Sequence, residues 1–281
     1  IAFLFAENAG VYVATSAGNS GPGEATLGNP GTMPWMTTVG ASTQRRFFTG
    51  VIKLFDGPRI NGASITPELD GWQEMVDAEF AGGDLCVPGT LDETMVAGKV
   101  VLCRRGAIAR VAKSQAVYEA GGVGMIMYEN TDDNNLYSDS HWVPSVHIDN
   151  TPGLLVKDYI ATNANPRMRL ETGTRKGPHI TAWTIAPSMT SFSSRGPNPV
   201  VPDLIKPDVT APGIQILAGY SPMGDGIPGD MFAAIAGTSM SSPQVAGIFA
   251  LLKQAHPDWS PAAAKSALMT TAHQKVRDND R

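Results

Sequence analysis

Apolar and polar positions along the chain alternate between two periods, and the change of period marks out the elements. Val11–Thr15 is a short apolar run ending in Ser-Ala-Gly-Asn-Ser-Gly-Pro, which predicts a buried strand feeding a tight turn. Near the other end, Val245, Ile248, Leu251 and Leu252 recur every three or four residues, with Ala246, Gly247 and Ala250 between them, which predicts a core helix. The middle of the chain reads differently. Phe47–Gly57 alternates and then closes with Asp56-Gly57, the pattern of a β-hairpin or edge ribbon. Val100–Leu102, Gly124–Tyr128 and Val143–Ile148 predict short buried strands. Helices are predicted over 108–120, with apolar positions Ile108, Val111, Ala112, Ala116 and Ala120, and over 152–161; Gly121-Gly122 stops the first.

The candidate chemistry sits at the junctions of these elements. Gly237-Thr238-Ser239-Met240-Ser241-Ser242-Pro243 places Ser239 at the mouth of the core helix, where unpaired N–H groups carry partial positive charge. A nucleophilic serine there has oxyanion donors already in place. Asn19, in the strand-ending turn, is either a second donor through its side-chain amide or a turn former only, and Ser16, Ala17 and Gly18 have the small side chains that line a slot for an extended substrate.

Taken together, Ser16–Pro22, Ser193-Ser194-Arg195-Gly196-Pro197, Lys206–Gly213 and Gly237–Pro243 resemble, in order, the motifs of the subtilisin-like serine proteases. The resemblance implies a three-layer α/β domain with a mostly parallel sheet, Ser239 as nucleophile, and Asn19 with the Ser239 N–H as the oxyanion hole. Gln244 stands where many relatives have histidine. Asp208 falls in a strand-and-turn segment of the family and is assigned no catalytic role.

The family's triad runs Asp, His, Ser, with the first two upstream of the asparagine turn. Neither Asp-Thr/Ser-Gly nor His-Gly-Thr precedes Asn19, and none of His141, His147, His179, His256 and His273 is followed by Gly-Thr. With Ile1–Ala6 already reading as an apolar helix, the chain is expected to be the C-terminal portion of a catalytic domain. Alone it is expected to be inert, because no base takes the Ser239 proton. Such a portion should also expose apolar surface. The alternative is a non-catalytic fragment or pseudoenzyme acting through binding.

Residues 47–182 separate segments that are close in a minimal subtilase. Gly98–Gly106 and Ala120–Ile126 resemble a protease-associated domain, placed at about 83–171. The expected organisation is therefore 1–46 as the first part of the catalytic domain, 47–182 as an α+β or β-rich insertion, and 183–281 as its second part. In the family such insertions serve substrate access, protein contacts or dimer formation; here the alternative is a spacer with its own core.

Composition narrows the partners. A formal net charge of −5 argues against nucleic acid, and no apolar run approaches a membrane span, which leaves a peptide or protein substrate and a homodimer or other protein contact through the insertion. Arg104, Arg105, Arg110 and Lys113 cluster locally and read as a solvated face. Cys86 and Cys103, the two cysteines, both fall in the insertion. They read as a disulfide of an exported, extracellular protein, the alternative being two reduced thiols in the cytosol. Asn130–Asn135 with Asp139 is rich in oxygen ligands but lacks the glycine and terminal glutamate of a calcium loop, and reads as a polar surface loop. Subtilases often bind calcium, but no ligand set matches here and no cofactor is assigned.

Overall fold

The computed structural model describes residues 1–44, 48–132, 136, 139–172, 187–223 and 230–277. In chain order its elements are α1 (Ala2–Asn8), β1 (Ala14–Ser16), β2 (Thr37–Ser42), β3 (Thr49–Leu54), β4 (Arg59–Ala63), β5 (Gln73–Asp77), α2 (Glu93–Val96), β6 (Val100–Arg104), α3 (Arg110–Glu119) and β7 (Gly124–Tyr128). They continue with β8 (Ser145–Ile148), α4 (Asn150–Thr162), β9 (Arg167–Thr172), β10 (Val209–Pro212), β11 (Ile216–Gly219), β12 (Phe232–Ile235), α5 (Thr238–Ala255) and α6 (Pro261–Thr271). Contacts divide the chain into two units. One comprises Ile1–Arg45, Ala182–Ile216 and Ala236–Arg281, the other Arg46–Thr181 and Leu217–Ile235. The stretch 217–235, which the sequence reading kept with the catalytic segments, contributes its contacts to the second unit.

In the first unit β1, β2 and β10 form a parallel sheet with β2 in the middle. Every residue of β2 is buried, as suits a central strand. Helix α5 lies on this sheet, and Val245 and Phe249 meet Val39 and Ala211, with Ala264 of α6 completing the cluster. The buried face of α5 runs through Thr238, Ser241, Val245 and Phe249, a strict three-to-four spacing. The pattern Val245–Ile248–Leu251–Leu252 therefore needs correction: Ile248 is 43% and Leu251 65% exposed. α5 is apolar on more than one side, so periodicity alone could not choose the face that meets the sheet. Phe3, Leu4 and Phe5 of α1 are also exposed.

The second unit is a closed seven-stranded barrel in the order β3-β4-β8-β7-β6-β5-β9. β5, β6, β7 and β8 run parallel, and the antiparallel hairpin β3–β4 and strand β9 close the ring. The predicted hairpin is present, with Asp56 at φ +53° in its turn, but β3 is paired on both sides and is no edge. Alternate residues of β6 enter two cores. Val100 and Leu102 join Ile52, Ile126 and Leu170, whereas Val101 and Cys103 join Met125, Met127 and Val117 of α3. Burial of both faces explains why β6 and β7 read as unbroken apolar runs.

Cys86 and Cys103 form a disulfide with Cα atoms 5.8 Å apart, and closing that loop stabilises the unit by about 3 kcal/mol. The basic cluster beside it is not a solvated face. Arg104 pairs with Asp84, Arg105 with Glu129 and Arg110 with Asp139, while the buried Lys113 donates to the Leu85 carbonyl at 2.6 Å. Burial lowers the Lys113 ammonium to about 8. The core face of α3 is thus Lys113, Ser114, Ala116 and Val117, two of them polar and satisfied internally, which an apolar template passes over.

Ser114 also contacts His141 Nδ1 at 3.0 Å, and burial pulls His141 down to about 4. The unfolded chain takes up this proton near pH 6.5, the folded unit only near 4, so the unfolded state binds more protons between those values. Stability of the barrel unit should therefore fall as pH drops through that window, by up to about 3 kcal/mol from this group. Urea melts between pH 7 and 4 check this: His141→Gln should flatten that part of the slope.

Candidate active site

The Asn19 turn is held in place by the segment that follows residue 187. Ala17 N–H donates to Val39 O and Ala17 O accepts from Gly28 N–H, each at 2.9 Å, which ties the end of β1 into the sheet. Gly18 adopts φ +105°, and a Cβ there would lie 2.8 Å from Ser194 Oγ; only glycine turns the chain so closely past this side chain. Ser194 N–H donates to Gly18 O, Ser20 N–H to Ser194 Oγ, and Gly21 N–H to Phe192 O. Ala17 is fully buried with both backbone groups used, so of the three residues expected to line a substrate slot only Ser16 and Gly18 keep accessible surface.

Ser239 is the second residue of α5 and is exposed. Its helix starts where it does because Gly237 N–H donates to Gly213 O and Gly213 N–H to Ser42 O, both at 2.9 Å. A Cβ on Gly213 would sit 2.5 Å from Ser241 Oγ and 2.6 Å from Ala41 Cβ, so glycine is required at this crossing. Gln244 donates from Nε2 to Pro212 O at 2.6 Å and to Met240 O at 3.0 Å, tying the first turns of α5 to the end of β10.

The two candidate residues meet through Thr238. Asn19 Oδ1 accepts from the Thr238 N–H at 3.0 Å and from Thr238 Oγ1 at 2.8 Å. A backbone N–H only donates, so the amide oxygen must face Thr238 and the Asn19 NH2 must point away from it. A Cβ placed on Gly237 would lie 3.5 Å from Asn19 Nδ2 and 3.8 Å from Ser239 N, so both donors border one small space. Neither Thr238 nor Ser194 stood out in the sequence. A hydroxyl at the first position of a helix is the one local sign of the former.

Other sequence candidates lie apart from this arrangement. Asp208 Oδ2 accepts from Thr38 N–H at 2.7 Å and from Lys206 Nζ at 2.6 Å, and Oδ1 pairs with Lys265 Nζ at 2.9 Å. It is a structural anchor, as its sequence context implied. Burial, the leading effect, lowers the Lys206 ammonium to about 8 against the pull of Asp208. Of the histidines in the first unit, His256 stacks on Trp259 at the far end of α5, about 25 Å along the helix from Ser239, and His273 Nδ1 accepts from Lys275 N–H. His179 lies outside the described residues. Asn130 accepts from Arg104, Asp132 from Thr151, and Asp139 pairs with Arg110, while 133–135 lie outside the described residues. Among the described residues no group of three or more metal-ligating side chains is gathered, and no helix there is long and apolar enough to cross a membrane.

A profile described as the Subtilase family matches residues 2–281. The chain is 44% identical over 277 residues to subtilisin-like protease SBT1.4 of Arabidopsis thaliana, covering 94% of this chain and 35% of that protein. It is 40% identical over 285 residues to subtilisin-like protease SBT1.7 of the same plant, covering 96% of this chain and 37% of that one. It thus spans about a third of the length of these relatives. Among solved structures, the psychrophilic subtilisin-like protease Apa1 from the Antarctic psychrotroph Pseudoalteromonas sp. AS-11 is similar at 15% identity and a TM-score of 0.33, covering 96% of this chain and 60% of that one. By the family profile and these relatives, the chain belongs to the subtilase family.

Proposed function

We propose that this chain is the nucleophile-bearing, C-terminal portion of the catalytic domain of a subtilisin-like serine endopeptidase that hydrolyses peptide or protein substrates. Ser239 Oγ attacks the scissile carbonyl while a base takes its proton, and the carbonyl oxygen becomes an oxyanion. Asn19 Nδ2 and the Ser239 N–H donate to that oxyanion. Collapse of the tetrahedral intermediate expels the amine, which receives the proton, and leaves an acyl-enzyme that water hydrolyses. The observation that carries this reading is the Thr238 anchor, which leaves the Asn19 amide no orientation but the donating one.

The base and its orienting acid come from outside these 281 residues, because no His-Gly-Thr is present in them and His256 and His273 are engaged elsewhere. The three-layer fold is completed by the same missing part. Residues 47–182 form a protease-associated insertion, about 83–171 at its centre, that mediates substrate access or a homodimer contact. The disulfide favours a secreted, extracellular protein.

A fluorophosphonate probe read by intact mass tests the central claim. The folded 281-residue chain should remain unlabelled, whereas the protein extended by its upstream segment should take up one probe, lost in Ser239→Ala. Labelling of the 281-residue chain that disappears in Ser239→Ala would mean that the base lies within it, and the proposal would fail.

A further inference from the structure

The outer face of the barrel carries a charge pattern that its own side chains leave unanswered. Lys53 of β3 is the Cα partner of Arg59 on β4 and of Arg169 on β9, so three cations stand in one row across neighbouring strands. Like charges directly opposite one another destabilise a sheet. Arg167, two residues from Arg169 on the same strand face, adds a fourth. Of these only Arg59 is answered, by Glu171 at 2.8 Å.

Several cations elsewhere in the unit are matched, Arg104 with Asp84, Arg110 with Asp139 and Lys157 with Asp77 and Glu79, while Lys99 stands alone; among the described residues, only on this face are unmatched cations grouped. The Lys53 ammonium and the Arg167 and Arg169 guanidinium groups have no hydrogen bond or ion pair among the described residues, and the Nε atoms of both arginines are buried without an acceptor. Glu74 is the Cα partner of Arg167 but forms no ion pair with it.

The arginines are held ready by aromatic rings. Arg167 Cζ lies 4.2 Å from the Phe55 centroid and Arg169 Cζ 5.8 Å from that of Trp72, and the two rings meet edge to face at 5.1 Å. A cation over a ring face is held by the ring's quadrupole without using up its N–H donors, which stay available to an incoming anion.

We propose that this face docks an acidic peptide segment, its carboxylates taken by Lys53, Arg167 and Arg169 and an apolar side chain by the Phe55–Trp72 pair. Charge complementarity argues for an anion, and the Arg59–Glu171 pair shows a carboxylate already accommodated on the same strands. β3 and β9 are each paired on both sides, so recognition runs through side chains and not through strand addition. The proposal does not depend on catalysis by Ser239.

Anisotropy of a fluorescein-labelled octaglutamate peptide, titrated with the 281-residue chain at low salt, tests it. The expected result is saturable binding that weakens with added salt and falls about tenfold in Lys53→Gln/Arg169→Gln, with Lys99→Gln/Lys275→Gln unchanged as a charge-matched control. None of these positions is fully buried, and unaltered thermal melting by circular dichroism assigns the loss to the charges. Absence of saturable binding, equal binding by the double variant, or tighter binding of a sulfated oligosaccharide of matched charge would each overturn the proposal.

Discussion

Asn19→Ala in the complete protein that carries this chain should lower kcat by on the order of 100- to 1,000-fold and leave KM nearly unchanged. That magnitude is the one known for removing the corresponding donor in subtilisin itself. The split follows from what the side chain does. In the proposed role its NH2 meets an oxygen that carries charge only in the tetrahedral state, so that interaction is worth little to the bound substrate and much to the transition state. Truncation also leaves the N–H and hydroxyl of the fully buried Thr238 without their shared acceptor, a stability cost of about 1–3 kcal/mol that thermal melting reads separately from kcat. Steady-state kinetics on a peptide substrate decide the point. An equal rise in KM with kcat preserved would show that Asn19 holds the ground state and would remove it from the oxyanion hole.

The site was more legible in the sequence than the surroundings that hold it. Gly-Thr-Ser at a helix mouth and Asn in a strand-ending turn stand out as candidates because each needs only a few adjacent residues, although Asn19 taken singly reads equally as a turn former. Gly124–Tyr128 was readable to its ends for a similar reason: the four apolar residues Met125–Tyr128 follow a glycine-rich stretch and precede a polar run. What could not be read depends on partners distant in the chain. The Thr238–Asn19 link spans 219 positions, and closure of the barrel pairs β3 with β9, more than a hundred residues apart. Lys113 was misread because its charge predicts exposure, and the acceptor that permits burial, the Leu85 carbonyl, sits on a loop ordered by the disulfide neighbourhood. α5 shows the reverse case. Its apolar residues exceed what one face can bury, and the choice between faces is made by the small buried pair Thr238 and Ser241 at its start, where β10 and the Gly213 crossing come closest.

Asp208→Ala should destabilise the sheet unit by roughly 3–5 kcal/mol, the range for removing one member of a buried ion pair. Asp208 and Lys206 have side chains 2% and 0% exposed, and Lys265 approaches the other carboxylate oxygen. Without the carboxylate two ammonium groups face each other across a site closed to water, and the Thr38 N–H in the central strand loses its acceptor. Lys206 cannot withdraw, because its Nζ also donates to Met36 O and Thr38 Oγ1. Burial already holds its pKa near 8, and loss of the neighbouring anion lowers it further, so the variant is expected to discharge Lys206 near neutral pH. Hydrogen exchange along β2 and β10 provides the local readout: their amides should lose protection in the variant while those of β6 and β7 in the barrel keep theirs. Replacing both residues, as Lys206→Met/Asp208→Leu, removes the uncompensated charge and should recover much of the loss. Protection unchanged in Asp208→Ala would show that the triad is bystander to the sheet, and the structural role assigned to the Lys-Pro-Asp segment would have to be given up.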